Sequence, residues 1–245
     1  MKVNKTAIFV EGQTELIFVR DLLMKAYDYQ NLYINCFELG SDGSFKDKNS
    51  PFGHKSADFY FQIVLVGNDN SVLSAMLRRE KWLEQQGFGR IIGLRDMYSA
   101  DYLKQAGHRM IKNELNEKFI RGHNERIKSQ KMFLCFAIME IEAWILGIES
   151  IFEKMFSELT ISYISNKLGY DLSIIDPEHT FFKPSGDVEK IFDLVNYAYN
   201  KNIENIYSIL GHLSKEDFAQ LYNAEKCPSF TTFCNCLLPN NGLLN

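Results

Sequence analysis

Glu11 follows four apolar residues, 7–10, and is followed at once by Gly12, with a second acid, Glu15, four residues on. Two later apolar runs also deliver acids: residues 89–94 (GRIIGL) lead into Arg95-Asp96, and residues 132–138 (MFLCFAI) into Glu140-Ile141-Glu142. In open α/β sheets ligands bind beyond the carboxyl ends of the strands. Parallel strands would therefore gather Glu11, Asp96 and Glu140 at one edge, with Glu15 and Glu142 beside them. Carboxylates so placed raise one another's pKa. A divalent cation relieves the repulsion, and Mg²⁺, which keeps several waters, needs only two or three of them. Gly12 reads as the point where the backbone turns sharply and admits a phosphate, and the helix start behind it adds exposed N–H groups. Each acid also has a plainer reading. Glu11 suits a strand-end turn, while Glu15 and Glu142 suit first-turn positions that complement a helix dipole.

The elements that must position these acids are legible as an alternation. Residues 6–10 read as a buried strand, and Gly12-Gln13-Thr14 as the turn into a helix capped by Thr14. Residues 32–39 read as a second strand, 40–54 as a mobile loop rich in Gly, Ser, Asp, Lys and Asn, and 59–66 as a third strand. Asn68 or Asn70 caps a helix running to residue 86. The strand at 89–94, a helix over 102–121 and the strand at 132–138 complete the pattern. Such alternation predicts an α/β fold, a mostly parallel sheet flanked by helices on both faces. Beyond Gly147 strand signals fade. Residues 151–168, 187–199, 203–210 and 215–223 read as helices, punctuated by Pro177, Pro184 and Pro228. The expected division is an α/β domain over 1–148 and a helical extension over 149–245, packed on it.

The 245 residues are 46% hydrophobic and 13% aromatic, enough for a substantial core and unlike a disordered chain. A net charge of −4 argues against a uniformly basic nucleic-acid coat protein. It does not argue against a nuclease, whose own carboxylates make the total negative. Residues 104–131 hold eight Lys/Arg against three Glu, a local +5 that leaves −9 elsewhere. That segment reads as a solvated helix face or as a phosphate-contacting surface. Residues 1–5 lead directly into a strand and no apolar run reaches membrane-spanning length, so a reducing cytoplasm is the expected compartment for the five cysteines. Cys227, Cys234 and Cys236 lack zinc-site spacing. His54, His108, His123, His179 and His212 are scattered, and Ser99, Ser185 and Cys135 lack nucleophile signatures. No G-x-x-x-x-G-K-[ST] is present, so ATP-driven action would require a partner.

The segment IFVEGQTE, residues 8–15, resembles the first motif of the Toprim fold, the metal-binding domain shared by topoisomerases, primases and overcoming-lysogenization-defect type nucleases. In GLRDMYS, residues 93–99, Asp96 stands where the second Toprim motif has its first Asp, and Tyr98 stands where that motif has its second. This departure resembles a stand-alone bacterial Toprim-like family of unassigned function. MEIEAWILG, DPEHTFFKPS and CPSFTTFCNCL, in that order, are similar to later segments of that family. The resemblance implies one or two Mg²⁺ or Mn²⁺ ions, phosphodiester cleavage in DNA or RNA, a place in phage defence and a partner ATPase encoded nearby. It makes Glu11 a metal ligand or general base and Asp96 the central ligand, with Glu15, Glu140 and Glu142 as supporting ligands or bases. Tyr98 costs the site one carboxylate, for which Glu140 or Glu142 is the candidate replacement. Tyr98 itself either orients substrate or water, or packs under the sheet edge. The basic residue that follows the Pro-Ser pair in related proteins has Lys190 as its nearest counterpart. The expected function is a metal-dependent nuclease. The alternatives are a non-catalytic sensor or effector subunit beside an ATPase, and a phosphatase acting on small phosphate esters.

Overall fold

Alternation along strand β1 (Asn4–Val10) divides the core in two. Ile8 and Val10 belong to one apolar cluster, Ala7 and Phe9 to the other. The computed structural model describes residues 3–67, 71–107 and 111–238. After β1 come α1 (Gln13–Ala26), β2 (Leu32–Leu39), β3 (Phe45–Asp47), β4 (Phe52–Gly53), β5 (Phe59–Leu65), α2 (Ser71–Gln85) and β6 (Phe88–Asp96). They are followed by α3 (Ala100–Ala106), α4 (Asn113–Asn124) and β7 (Met132–Ala137). The remaining elements are helical: α5 (Glu142–Gly147), α6 (Ser150–Met155), α7 (Ile161–Leu168), α8 (Pro177–Thr180), α9 (Pro184–Asp193), α10 (Ile203–Gly211), α11 (Lys215–Asn223) and α12 (Pro228–Leu237).

The sheet order is β3-β2-β5-β1-β6-β7, with β4 also paired to β2. β2, β5, β1, β6 and β7 run parallel, and β3 and β4 run antiparallel to β2. Register sets the strand tips level, with Val10 opposite both Leu65 and Leu94 and Asp96 opposite Ala137. Residues of α1 and of the C-terminal helices line the cluster that holds Ile8, while α2, α3 and α4 line the other. The connection through α2 carries the chain across β1 to β6. The tips of β1 and β6 thus flank the point where the chain reverses its direction across the sheet, the crevice where such sheets bind ligands. The close approach of α2 depends on Gly93, since a Cβ there would stand 2.4 Å from Met76 Sδ and 2.8 Å from Leu134 Cδ1.

The α/β class, the parallel sheet covered on both faces and the C-terminal helices are as the sequence indicates. One apolar cluster runs from Ile8 through Trp144 to Leu238, so the later helices share the core of the sheet. Several local expectations fail. Residues 40–54 are not a plain loop: they hold β3 and β4, anchored by Phe45 against Phe9, Phe37 and Trp82 and by Phe52 against Tyr29. The helix read over 102–121 is two helices, because Gly107 closes α3 in the left-handed conformation at φ 64°. His108 and Arg109, like Asn68 and Asn70, lie outside the described residues. Residues 151–168 are divided too, with Phe156 extended and Thr160 capping α7 through Tyr163 N at 3.2 Å. The helix read over 187–199 begins earlier and ends at Asp193. Pro177, Pro184 and Pro228 stand in the first turns of α8, α9 and α12. Proline there costs no hydrogen bond and begins a helix rather than interrupting one. Among the described residues no helix is long and apolar enough to cross a membrane.

Candidate active site

Glu11 leaves β1 half-buried, and the chain passes at once into α1. The cap of that helix is Gly12 and not Thr14: the Gly12 N–H donates to Glu15 Oε2 at 2.7 Å, so Glu15 folds back over its own helix start. The backbone bends at Glu11-Gly12 as expected, but Gly12 has φ −126°, an ordinary extended conformation, so the bend itself does not require a glycine. What the glycine provides is room, because a Cβ would stand 2.6 Å from Glu15 Oε2. Glu15 is therefore both a first-turn acid and a buried carboxylate, 4% exposed.

Asp96 ends β6 in a buried position, and its Oδ1 accepts from Ile141 N at 3.0 Å. The turn that supplies this N–H also delivers Glu140 and Glu142. It begins at Met139, which is fully buried with φ 62° and accepts from Tyr98 N at 2.7 Å. A methionine held in the left-handed region costs on the order of 1 kcal/mol and persists only where its surroundings impose it. Glu140 Oε2 accepts from Ser185 N at 2.8 Å, and Glu142 Oε1 accepts from the Tyr199 hydroxyl at 2.9 Å. Tyr98 packs edge-on against Phe182 with ring centroids 5.7 Å apart, the packing alternative of its two readings.

The structure thus gathers the sequence-predicted acids at the strand tips. Burial, and next the charge of Glu15, raises the pKa of Asp96 well above the usual carboxylate range, with Glu142 and Glu11 adding to the effect. Burial likewise raises Glu15 and Glu142. The cation that reaches them is Lys201, not Lys190. Lys190 pairs with Asp187 within α9 at 2.7 Å and is well exposed. Lys201 Nζ lies 3.0 Å from Glu142 Oε2, 3.2 Å from Glu140 Oε1 and 4.0 Å from Asp96 Oδ2. Burial works against its charge, but Glu142, Asp96 and Glu140 outweigh burial and hold the amine protonated.

Lys201 and Tyr199 were not among the candidates read from sequence. The one local signal was Asn202, a good helix cap just before an apolar stretch, which marks the end of a loop but not where its lysine points. The donor set suits a hard divalent ion in type, being all oxygen, with Asp96, Glu15 and Glu142 raised in pKa by burial first and by neighbouring acids after it, a repulsion that such an ion relieves. Among the described residues no three Asp, Glu, His or Cys side chains are arranged as a ready ligand shell, and the Lys201 ammonium stands against three of the acids.

The later motifs have a different use. Glu178, 1% exposed, accepts at Oε1 from Trp144 Nε1 at 3.0 Å and from the Ser229 hydroxyl, and at Oε2 from Ser229 N at 3.2 Å. EAW, PE and CPSF thereby lock α5, α8 and α12 together. Of the basic stretch, Lys104, Lys118 and Arg126 line an open groove of about 700 Å³ beside α3 and α4. Lys131 instead pairs with Glu84 at 3.2 Å, at the end of the sheet away from the acids. Comparison with protein-family models, with curated proteins and with solved structures finds no match.

Proposed function

We propose that the protein is a Mg²⁺- or Mn²⁺-dependent nuclease of Toprim type that hydrolyses phosphodiesters in DNA or RNA. The observation that carries this reading is the convergence of Glu15, Asp96, Glu140 and Glu142, with Glu11 close enough to act on Asp96, at the tips of β1, β6 and β7. Asp96, Glu15 and Glu11 would hold the ion. When bound, it supplies Lewis-acid polarisation of a phosphoryl oxygen. Glu11 takes the proton of the attacking water as that water adds to phosphorus and the bond to the leaving sugar oxygen breaks. Lys104, Lys118 and Arg126 bear on the phosphate backbone and carry no base-specific information.

The test is plasmid nicking and RNA cleavage with Mn²⁺, comparing the native chain with Glu11→Gln and Asp96→Asn. Loss of roughly 100-fold or more in rate is expected for each variant; equal cutting by all three overturns the reading.

The pairing of Lys201 with Glu140 and Glu142 favours one other reading. The cluster would then be an ion network that docks the helical extension on the sheet, in a non-catalytic subunit acting beside a partner ATPase. That reading predicts co-purification with the ATPase and no metal-dependent cleavage of either nucleic acid.

A further inference from the structure

We infer that Cys236 and Cys135 are a thiol pair that hydrogen peroxide oxidises to a disulfide, tying the last turn of α12 to the edge strand β7. Two polar contacts fix the run of α12 along that strand. Just past the tip of β7, Ile138 N donates to Ser229 Oγ at 3.4 Å, in the first turn of the helix. Toward the other end of the sheet Arg90 Nη1, near the start of β6, donates to the Cys236 carbonyl at 2.6 Å. From Ser229 to Cys236 the helix advances by about 10 Å, and from Ile138 back to Cys135 the strand covers about the same distance. Cys236 therefore stands level with Cys135. Positions seven apart share a helix face, so Cys236 is turned toward β7 as Ser229 is. Cys135 points to the same side of the sheet, into the core cluster that holds Cys234 and Leu237 of α12. The two thiols accordingly line one cavity of about 290 Å³, together with Thr232 and Met132.

The pair is unequal. Cys135 is buried, whereas Cys236 is only half-buried. The Cys135 thiol donates to the Cys236 sulfur, and that bond, with the charge of Arg90, brings Cys236 down to about 7 against burial. The same bond, and next burial, keep Cys135 protonated. Cys236 is therefore the attacking thiolate at neutral pH. Its sulfur takes one peroxide oxygen as the O–O bond breaks and hydroxide leaves. Cys135 Sγ then attacks the sulfenic acid so formed; the S–O bond breaks, and the oxygen departs as water with the Cys135 proton. The two thiols lose two electrons and two protons, and one peroxide becomes two waters. The other cysteines are poorly placed to compete. Cys234 precedes Cys236 by two residues, so it faces elsewhere on the helix, and it is buried. Buried Cys227 donates to Ala143 O at 3.6 Å, and Cys36 is buried on β2.

The experiment treats the reduced full chain with hydrogen peroxide at neutral pH, quenches it in acid, counts free thiols by alkylation and maps linkages by peptide mass spectrometry. The native chain is expected to fall from five free thiols to three, with one link, Cys135 to Cys236, that dithiothreitol reverses. Cys135→Ser should stop at a sulfenic acid on Cys236 that dimedone captures, and Cys236→Ser should react at least about tenfold more slowly. The native initial rate should be half-maximal at a pH of about 7. Five thiols that survive a treatment able to oxidise free cysteine overturn the inference. So does a link that uses Cys234, or a sulfinic acid on Cys236 with Cys135 still free. A rate half-maximal only at about pH 8.5, as for an ordinary thiol, overturns it as well. These overturning results are all read on the native chain, so none depends on how a variant folds.

Discussion

Two groups of buried acids in this protein are built on opposite principles. Glu178 is a single carboxyl whose oxygens are met by Trp144 and by both donors of Ser229. At the strand tips Glu15, Asp96, Glu140 and Glu142 share one internal cation, Lys201, and repel one another. Glu178 needs nothing that the chain does not supply. The strand-tip acids outnumber the one ammonium that faces them, and on the proposed function a bound cation would offset the rest. Burial and motif membership are common to both groups. Crowding of like acids belongs to one, and on the proposed function it marks that group as the binding site.

The largest expected effect comes from breaking the joint. Trp144 is fully buried and stacks on Phe233 with ring centroids 5.6 Å apart. Trp144→Ala removes that packing and one donor from Glu178, at a cost of about 3–5 kcal/mol. At roughly 2–4 °C per kcal/mol for a chain of this size, Tm falls by about 10 °C. The fall is the same with and without Mn²⁺. A drop of only a degree or two, or one that Mn²⁺ reverses, would erase the contrast between the two groups.

Acidity sharpens it next. Burial raises the Glu178 pKa from 4.5 to about 7, against the opposing hydrogen bonds of Ser229 and Trp144. The native carboxyl keeps its proton up to about pH 7, whereas the unfolded one releases it near 4.5. Between those values the native carboxyl binds more proton than the unfolded one, so this group's share of stability falls as pH rises through the window, by roughly 3 kcal/mol, beside slopes of the same sign from Asp96, Glu15 and Glu142. Below pH 4.5 both states are protonated and the penalty is absent. Thermal unfolding of Glu178→Gln followed from pH 4 to 8 is expected to lack this slope; a curve parallel to the native one refutes it.

Neutralising an acid at the strand tips has the opposite sign. Asp96→Asn keeps an oxygen for the Ile141 N–H and removes a charge that burial and Glu15 both disfavour. In EDTA its Tm is expected to rise by about 2–4 °C, on the order of 1 kcal/mol. A clear loss of stability would mean that the strand-tip acids are as well satisfied as Glu178.

Much of this was legible in the sequence, and the failures share a cause. The apolar runs of β1, β6 and β7 announce themselves, and parallel strands put their carboxyl ends on one edge, so Glu11, Asp96 and Glu140 could be brought together from order alone. Lys201 could not. Its place depends on a left-handed backbone and on Asn205, which bonds to Asn200 and Asn202 on either side of it, and polar contacts of that kind have no periodicity to read. Glu178 lay inside a motif, but a motif does not tell whether an acid is satisfied or exposed to its like. Phe45 and Phe52 are hidden among the small polar residues that make 40–54 look like a loop, and Pro177, Pro184 and Pro228 mark helix boundaries in the sequence without telling that each stands in a first turn.

Gly12 supplies the smallest effect on stability and a separate test of the contrast. Its extended backbone admits alanine without strain, and that substitution gains several tenths of a kcal/mol by narrowing the unfolded ensemble. Against this, the new Cβ drives the Glu15 carboxylate away and costs its capping hydrogen bond, worth about 1 kcal/mol. The two nearly cancel, so Gly12→Ala is expected to unfold within about 2 °C of the native chain. Its Mn²⁺ affinity should nevertheless fall about tenfold, because Glu15 no longer stands beside Asp96. A purely structural cluster predicts the reverse, a change in stability with no metal response to lose. Unaltered Mn²⁺ binding in Gly12→Ala would show that Glu15 caps its helix and does nothing more.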